Sequence, residues 1–210
     1  MWLAAKKGMV LNNYTNVGNL INKFHISYIE GNYIPATKIK INRYFLADLR
    51  LVINERVFEN SQEAICEGII YPILKEVWKP YRHKITLWSH QPLSPGNELS
   101  WIPDYLITQK SALGRVVLDY PYFVIVEVTK DGVNEGWGKC LAELIAAQRI
   151  NRTKERAIFG IVSNGITWEF GRLKADTFAK NTQIYTIREL AKLMAAINYI
   201  FHHCYLETKR

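Results

Sequence analysis

Two stretches decide the fold: Trp101-Ile102-Pro103-Asp104 and Pro121-Tyr122-Phe123-Val124-Ile125-Val126-Glu127-Val128-Thr129-Lys130. The second is a near-continuous apolar run rich in β-branched and aromatic residues, which is typical of a buried strand. Each stretch carries one acidic residue, Asp104 early in the first and Glu127 late in the second. A carboxylate at the end of a buried strand is unfavourable unless something compensates its charge. The pair therefore indicates a site for a divalent metal ion.

Residues 59–210 predict an α/β domain in which helices and strands are interleaved. Its first helix begins at Asn60 or Ser61, where Asn60 can act as the cap and Glu63 completes a capping box. Pro72 lies inside the same helix and predicts a kink or a break there. The patterns that follow predict strands over 83–89, 101–109 and 122–129, a helix over 135–151, strands over 157–163 and 166–173, and a helix over 187–205.

Local signals mark the helix over 135–151 and the turn after the strand that follows it. Asn134 or Asp131 can cap the helix, and its small residues would let it lie close to a sheet. Gln148 falls on the apolar stripe of this helix, which indicates either a site residue or a boundary residue near the helix end. Asn164-Gly165 predicts a hairpin turn with positive φ at both central residues.

Residues 1–58 are expected to form an irregular N-terminal extension packed on the domain. This segment is polar and Asn-rich between residues 12 and 22, and its later helix and strand signals alternate. It also carries basic residues against few acids, which favours either a solvated surface or a basic flank to a DNA groove. These basic residues are Lys38, Lys40, Arg43, Arg50 and Arg56.

The composition favours a polyanionic partner. The 210 residues include 27 Lys and Arg against 19 Asp and Glu, which gives a formal net charge of +8 and suits nucleic acid. Three cysteines at long spacings, without a Cys-x-x-Cys pair, argue for free thiols in a reducing compartment and against a zinc site. No apolar run is long enough for a membrane span, and the N-terminal apolar stretch is too short for a signal peptide. We therefore expect a cytoplasmic protein without a membrane partner.

Two neighbouring strands would bring Asp104 and Glu127 together. The short connection between these strands predicts antiparallel neighbours, and alternate residues of a strand share one face. Ile102, Asp104 and Leu106 then point the same way, and Asp104 lies beside Glu127. Two carboxylates offer hard oxygen ligands suited to Mg²⁺, which takes a few protein oxygens together with water and phosphate.

Pro103-Asp104 followed by Glu127-Val128-Thr129-Lys130 resembles the signature of the PD-(D/E)xK nuclease superfamily. The helix with Glu63, the three strands and the following helix with Gln148 are similar to that core in the same order. The pieces Pro72-Ile73-Leu74 and Val126-Glu127-Val128, with the stretch from Ser163 to Phe170, also resemble the N-terminal nuclease domain of type I restriction enzyme motor subunits. The resemblance implies a restriction-endonuclease-like core with a central mixed sheet of about five strands flanked by helices.

The same resemblance implies hydrolysis of phosphodiester bonds in DNA with Mg²⁺ or Mn²⁺ as cofactor. Asp104 and Glu127 would hold the metal ion, with the Val128 carbonyl as a third ligand. Glu63 would bind a second metal ion or orient water, although its position is equally consistent with a helix cap. Gln148 would be a companion of the site. Nucleases of this fold often work as homodimers, so a homodimer is a further expectation.

The sequence departs from the family pattern at the catalytic lysine. The pattern places a lysine two residues after the acid, and that position is Thr129. Lys130 is next in line, but strand alternation turns it to the opposite face unless a bulge shifts the register. Lys139 is the other candidate because it lies about one turn into the following helix, where it could equally form a surface pair with Glu143.

Three functions fit these observations. The first is an active DNA endonuclease with E-x-T in place of E-x-K. The second is a catalytically decayed protein of the same fold that binds DNA or regulates a DNA-processing complex, which needs only the basic surface. The third is an unrelated α/β domain in which arginine or lysine neutralises Asp104 and Glu127.

Overall fold

The structure is organised around the apolar run that the sequence singles out. The computed structural model describes residues 16–35, 38–93, 102–114, 116–130 and 132–209, and every residue of the strand in that run is buried. In chain order the helices and strands are α1 (Val17–Phe24), β1 (Ser27–Gly31), α2 (Arg43–Asn54), α3 (Gln62–Ile65), α4 (Tyr71–Trp78), β2 (Ile85–Ser89), β3 (Tyr105–Gln109), β4 (Tyr122–Val128), α5 (Val133–Ile150), β5 (Ile158–Ser163), β6 (Thr167–Lys174), β7 (Thr177–Asn181), β8 (Tyr185–Thr186) and α6 (Leu190–Glu207). Single turns of 3-10 helix lie at Val57–Glu59, Lys79–Tyr81 and Ile187–Glu189.

The described strands form one mixed sheet in the order β1-β7-β6-β5-β4-β3-β2, with β8 paired to β6. β4 and β5 are parallel, as are β1 and β7, and the other neighbours are antiparallel. The predicted α/β class is confirmed, but the described part of the chain has eight strands where five were expected. The additional strands come from the N-terminal region and from the segment after β6.

Helices cover both faces of the sheet. α5 lies on one face, and small residues seat it closely: a Cβ at Gly136 would come within 2.5 Å of Val162 Cγ1, and one at Gly160 within 2.8 Å of Cys140 Sγ. The expectation that small residues bring this helix close to the sheet is confirmed. α4 and α6 pack on each other over the apolar layer of the opposite face. A strand buried on both sides, such as β4, requires this arrangement.

The helix before β2 changes type near Pro72. A π-helical turn, Cys66–Ile70, joins α3 to α4, and Pro72 falls in the first turn of α4, where its missing N–H costs little. The helical run therefore does not break at Pro72, and what changes is the helix type, in the π-helical turn just before it. The Asn60 cap is a wrong prediction, because Ser61 Oγ accepts a backbone N–H of the first turn while the Asn60 amide donates to Val57 O.

The predicted Asn164-Gly165 hairpin is confirmed, because it joins antiparallel β5 and β6, but its predicted φ angles and the predicted cap of α5 are wrong. Gly132 occupies the N-cap position of α5 with extended backbone, Asn134 lies inside the helix, and Asp131 lies outside the described residues. In the β5–β6 turn Gly165 has a φ of 85° and Asn164 does not have positive φ. The Asn164 side chain accepts the two backbone N–H groups that follow Gly165, so this loop needs positive φ at the glycine alone.

The N-terminal region is more regular than its sequence indicates. α1 packs on α5, β1 extends the sheet as the parallel partner of β7, and α2 packs against the π-helical turn. The prediction of an irregular extension is wrong for residues 16–58 in the part that is described. Residues 1–15, the loop at Pro95 and Gly96, and Trp101 lie outside the described residues.

The longest described helices, α5 and α6, have 18 residues each. Both lie against the sheet and carry many buried residues. Across the described ranges, no helix combines the length and the apolar character needed to cross a membrane.

Candidate functional site

Asp104 and Glu127 meet at one end of the β3–β4 pair. Tyr105 lies opposite Val126 in this antiparallel pair, so the same register places Asp104 opposite Glu127. Asp104 lies in a bend one residue before β3, whereas the predicted strand begins earlier. Its Oδ2 accepts the backbone N–H of Val128 at 2.8 Å, which ties the bend to the end of β4. The structure therefore brings the two predicted acids together.

Lys139 reaches the same point from α5. Its Nζ lies 2.7 Å from Glu127 Oε2. The Lys139 side chain is 50% exposed and the Glu127 side chain 2%, so the pair joins a buried carboxylate to a half-exposed lysine side chain. The short connection between β4 and α5 places the second turn of the helix over the end of the strand. Of the two candidate lysines, Lys139 is the one at the carboxylate.

Lys130 does not join the site. It is exposed just after β4, and across the described residues no hydrogen bond or ion pair links it to Asp104 or Glu127. A bulge near Glu127 would be needed to turn Lys130 to the other face. The register of β4 with β5 runs without a shift through Val128, and the shift between β3 and β4 falls at the opposite end of β4.

Glu143 is an acid of the site that the sequence reasoning misses. Its residue is 0% exposed, and its carboxyl lies within hydrogen-bonding reach of the Glu127 carboxyl. Glu127 Oε1 and both Glu143 carboxyl oxygens are buried, and no donor from the described residues reaches them. A proton held between the two carboxyls would satisfy one oxygen of each. The predicted surface pair of Lys139 and Glu143 is therefore wrong, because Glu143 faces the sheet.

The sequence does contain a signal that Glu143 is buried. It is the single charged residue between Cys140 and Ala147, where the helix is otherwise apolar or small. Apolar and small neighbours on every side indicate that Glu143 lies on the buried face of the helix. Its i,i+4 spacing from Lys139 does not change that indication.

Burial and mutual repulsion set the protonation of this cluster. Burial raises the pKa of Glu143 well above its ordinary value, and the Glu127 charge adds to the rise. Burial also raises the pKa of Glu127, although hydrogen bonding with Glu143 and the charge of Lys139 act against it. Burial acts to lower the pKa of Lys139, but the two carboxylates outweigh it and the pKa is raised. The cluster therefore favours a charged lysine and a proton on the acid pair.

His90 is the second residue that the sequence reasoning misses. Its Nε2 lies 3.5 Å from Asp104 Oδ1, and its backbone N–H donates to Asp104 O at 3.0 Å. Ser89 Oγ lies 2.7 Å from His90 Nδ1 and orients the ring. The residue has a φ of 50°, a left-handed conformation that is uncommon outside glycine and clusters at functional sites. No sequence signal marks it, because its position depends on how β2 ends beside the bend at Asp104.

Of the other two predicted site residues, Glu63 lines a cavity together with His90, the neighbour of Asp104, whereas Gln148 lies away from the carboxylate pair. Glu63 is exposed in the first turn of α3, where its own N–H and the Ser61 hydroxyl hydrogen-bond its carboxylate and lower its pKa. Gln148 lies at the far end of α5, and its Nε2 donates to Ala175 O at 2.9 Å. Glu63 thus acts as a helix-terminal acceptor, and Gln148 ties α5 to the β6–β7 turn.

Asp104 Oδ1 and Glu127 Oε1 are the oxygens of the pair left for a cation, and the proton shared with Glu143 would have to leave before Glu127 Oε1 bound one. Glu127 Oε1 is buried without a donor, and Asp104 Oδ1 has only the distant contact with His90. Mg²⁺ is commonly bound through one or two carboxylates and keeps several waters. Within the described ranges no three His, Cys, Asp or Glu side chains form a complete ligand set for a metal ion. The described side chains therefore do not by themselves complete a metal site, and an ion held by Asp104 and Glu127 would take its remaining ligands from water.

Comparison with known proteins adds no assignment. No protein-family model, curated protein or solved structure matches this chain. The chemistry of the site thus rests on its own residues.

Proposed function

We propose that this chain is a Mg²⁺-dependent DNA endonuclease of the PD-(D/E)xK type, in which Lys139 replaces the lysine that usually follows the second acid. The observation that carries the proposal is the 2.7 Å contact between Lys139 Nζ and Glu127 Oε2 beside Asp104. The order of helix, three strands, helix and strand from α3 to β5 supports it. A formal net charge of +8 suits a DNA partner.

Each residue of the cluster has a role in this proposal. Asp104 and Glu127, with the Val128 carbonyl, would hold the ion, which when bound polarises phosphate and lowers the pKa of water. Lys139 would position the attacking water and counter the charge that develops on the phosphate. Its side chain is half exposed while its Nζ contacts Glu127. Glu143 would hold Glu127 and Lys139 in place from the buried side.

Nicking of supercoiled plasmid in Mg²⁺ or Mn²⁺ tests the proposal. Wild-type protein is expected to nick, and Asp104→Ala is expected to abolish nicking because the metal site loses a ligand. Asp48→Ala is the matched control, since Asp48 is an exposed acid on α2, and it should nick normally. Nicking that survives Asp104→Ala would contradict the proposed site.

A catalytically decayed DNA-binding protein is the second candidate. It is favoured by Thr129 at the usual lysine position and by the buried acid pair, for which Lys139 can serve simply as a counter-ion. DNA binding that weakens steeply with salt, without nicking in either metal, would support this candidate. Thr129→Lys would then test for decay, because nicking by that variant would indicate a lost catalytic lysine.

A further inference from the structure

A cavity of about 360 Å³ opens beside Asp104, between the π-helical turn with the start of α4 and the ends of β2 and β3. His90 belongs to its lining and also contacts Asp104, so the cavity adjoins the carboxylate pair. Its volume is within the range of pockets that hold small organic groups. The proposed function gives this space no role.

Aromatic rings form the floor and one wall of the cavity. Tyr105 is 2% exposed and its hydroxyl donates to Cys66 O at 3.1 Å, which fixes the ring. Tyr71 stacks on Tyr105 with ring centroids 6.0 Å apart and an interplanar angle of 22°. His90 meets Tyr105 edge-on with centroids 5.9 Å apart. Tyr105 is covered by these neighbours and Lys75 Nζ lies 5.3 Å from the Tyr71 ring centroid, so the rings that reach the opening, and against which a flat ring would pack, are the partly exposed Tyr71 and His90.

Two carboxylates at the rim define which flat ring fits. Glu63 and Glu67 line the cavity about one helical turn apart, and both are exposed. Within the described residues Glu67 makes no hydrogen bond or ion pair, so its carboxylate is available as an acceptor. Ionised carboxylates accept hydrogen bonds and donate none. With Asp104 nearby, the rim favours an edge that carries N–H donors over one that carries carbonyl oxygens.

We propose that this cavity binds an unpaired nucleobase with adjacent N–H donors, guanine above all, in a nucleotide next to the cleaved phosphate; this inference rests on the proposed nuclease function. Guanine carries N1–H and the N2 amino group side by side, which matches the two oxygens of a carboxylate. Thymine presents two carbonyl oxygens beside its one N–H, and these would face the acidic rim. Enzymes that act on unstacked bases read them in this way, through the Watson–Crick edge and by stacking on aromatic side chains.

Fluorescence anisotropy with short labelled duplexes tests the proposal on the full chain. The probes carry one unpaired guanine, inosine or thymine, and the measurement is made in EDTA so that it does not depend on cleavage. Wild-type protein is expected to bind the guanine probe about tenfold more tightly than the thymine probe. Inosine, which lacks the N2 amino group, should fall between them.

Variants of the rim and wall separate base recognition from general DNA binding. Glu67→Gln should bring the guanine-to-thymine ratio close to one, whereas Tyr71→Leu should weaken binding of all three probes. Glu55→Gln, which changes an exposed acid at the end of α2 by the same charge, is the control and should keep the wild-type ratio.

Equal affinity for the three probes would overturn the proposal, as would a guanine preference that survives Glu67→Gln. The two proposals fail separately. Base preference without nicking would refute the nuclease and leave the base site standing, and nicking without base preference would do the reverse.

Discussion

Lys139 and Glu127 form a 2.7 Å ion pair between α5 and the strand that precedes it. The pair depends on how closely the helix is seated, because Gly136 leaves no room for a Cβ between α5 and the sheet. It also depends on the rotation of the helix, which turns Glu143 inward and leaves Lys139 half exposed.

Lys139→Met is expected to reduce plasmid nicking by at least about 100-fold, because the phosphate loses a positioned positive charge. The matched control is Lys130→Met, which removes an exposed lysine without a contact to the carboxylates and should leave the rate within about twofold of wild type. Rates of nicking under identical metal concentrations give the comparison, and circular dichroism checks that both variants fold. Loss of nicking in the Lys130 variant alone would assign the role to Lys130.

Glu143→Gln is expected to stabilise the protein most at alkaline pH. Burial raises the folded-state pKa of Glu143 above its ordinary value of 4.5, so the folded state binds more protons than the unfolded state at pH values between the two. Wild-type stability is then fully present below the unfolded pKa and is lost as pH rises toward the folded pKa. The neutral amide avoids this loss.

Urea unfolding of wild-type protein and the Glu143→Gln variant across a pH series measures the effect. The two curves of unfolding free energy should lie closest near the ordinary Glu pKa and separate as pH rises. Parallel curves would show that Glu143 does not hold a proton in the folded state.

Gly136→Ala is expected to destabilise the fold by about 1–3 kcal/mol, the usual cost of overpacking a core. Its Cβ would lie 2.5 Å from Val162 Cγ1 and 2.7 Å from Thr129 Cγ2, and this clash exceeds the gain of up to about 1 kcal/mol from helix propensity. Nicking should fall as well, since α5 must shift and carries Lys139 with it. Gly31→Ala is the control, because a Cβ there meets nothing within 4 Å. Thermal and urea unfolding measure the stability of both variants. A Gly136→Ala protein as stable as wild type would show that α5 does not pack as closely on the sheet at this position as the structure indicates.

Trp137→Phe is expected to cost about 1–3 kcal/mol, because it removes a hydrogen bond to a buried charged group. The indole N–H of Trp137 donates to Glu169 Oε2 at 2.6 Å, and Lys180 Nζ lies 2.8 Å from the same oxygen. The comparison is Trp88→Phe, which loses a half-buried hydrogen bond to the neutral Thr108 hydroxyl and should cost less. Urea unfolding of the two variants gives the difference, and an equal or smaller cost at Trp137 would contradict the charged network.

The helices and strands with a clear pattern of apolar residues were predictable from the sequence. The exposed strand β1 was not. β4 is recognisable because burial on both faces leaves a continuous apolar run, and α5 because small and apolar residues recur along it. β1 has no such signal, since all five of its residues are exposed at the edge of the sheet. It is a strand because β7 pairs with it, and that partner lies far away in the sequence.

Some contacts of the site were likewise predictable from the sequence, and others were not. The proximity of Asp104 and Glu127 was predictable because a short connection joins their strands and strand alternation puts both side chains on one face. A surface pair of Lys139 and Glu143 was one of two predictions for Lys139, because i,i+4 spacing is typical of ion pairs on an exposed helix face. The same spacing exists on the buried side of a helix, and sequence distance alone does not distinguish the two sides.

The sequence by itself determined the buried strand with Glu127, the acid before the neighbouring strand and the helix that follows, because these depend on residue spacing along the chain. Only the tertiary structure decided that Lys139 reaches Glu127, that Glu143 turns inward and that His90 lies beside Asp104. These contacts depend on the rotation of α5 about its axis, on its close packing against the sheet and on where β2 ends. All three are set by packing between segments that are distant in the sequence.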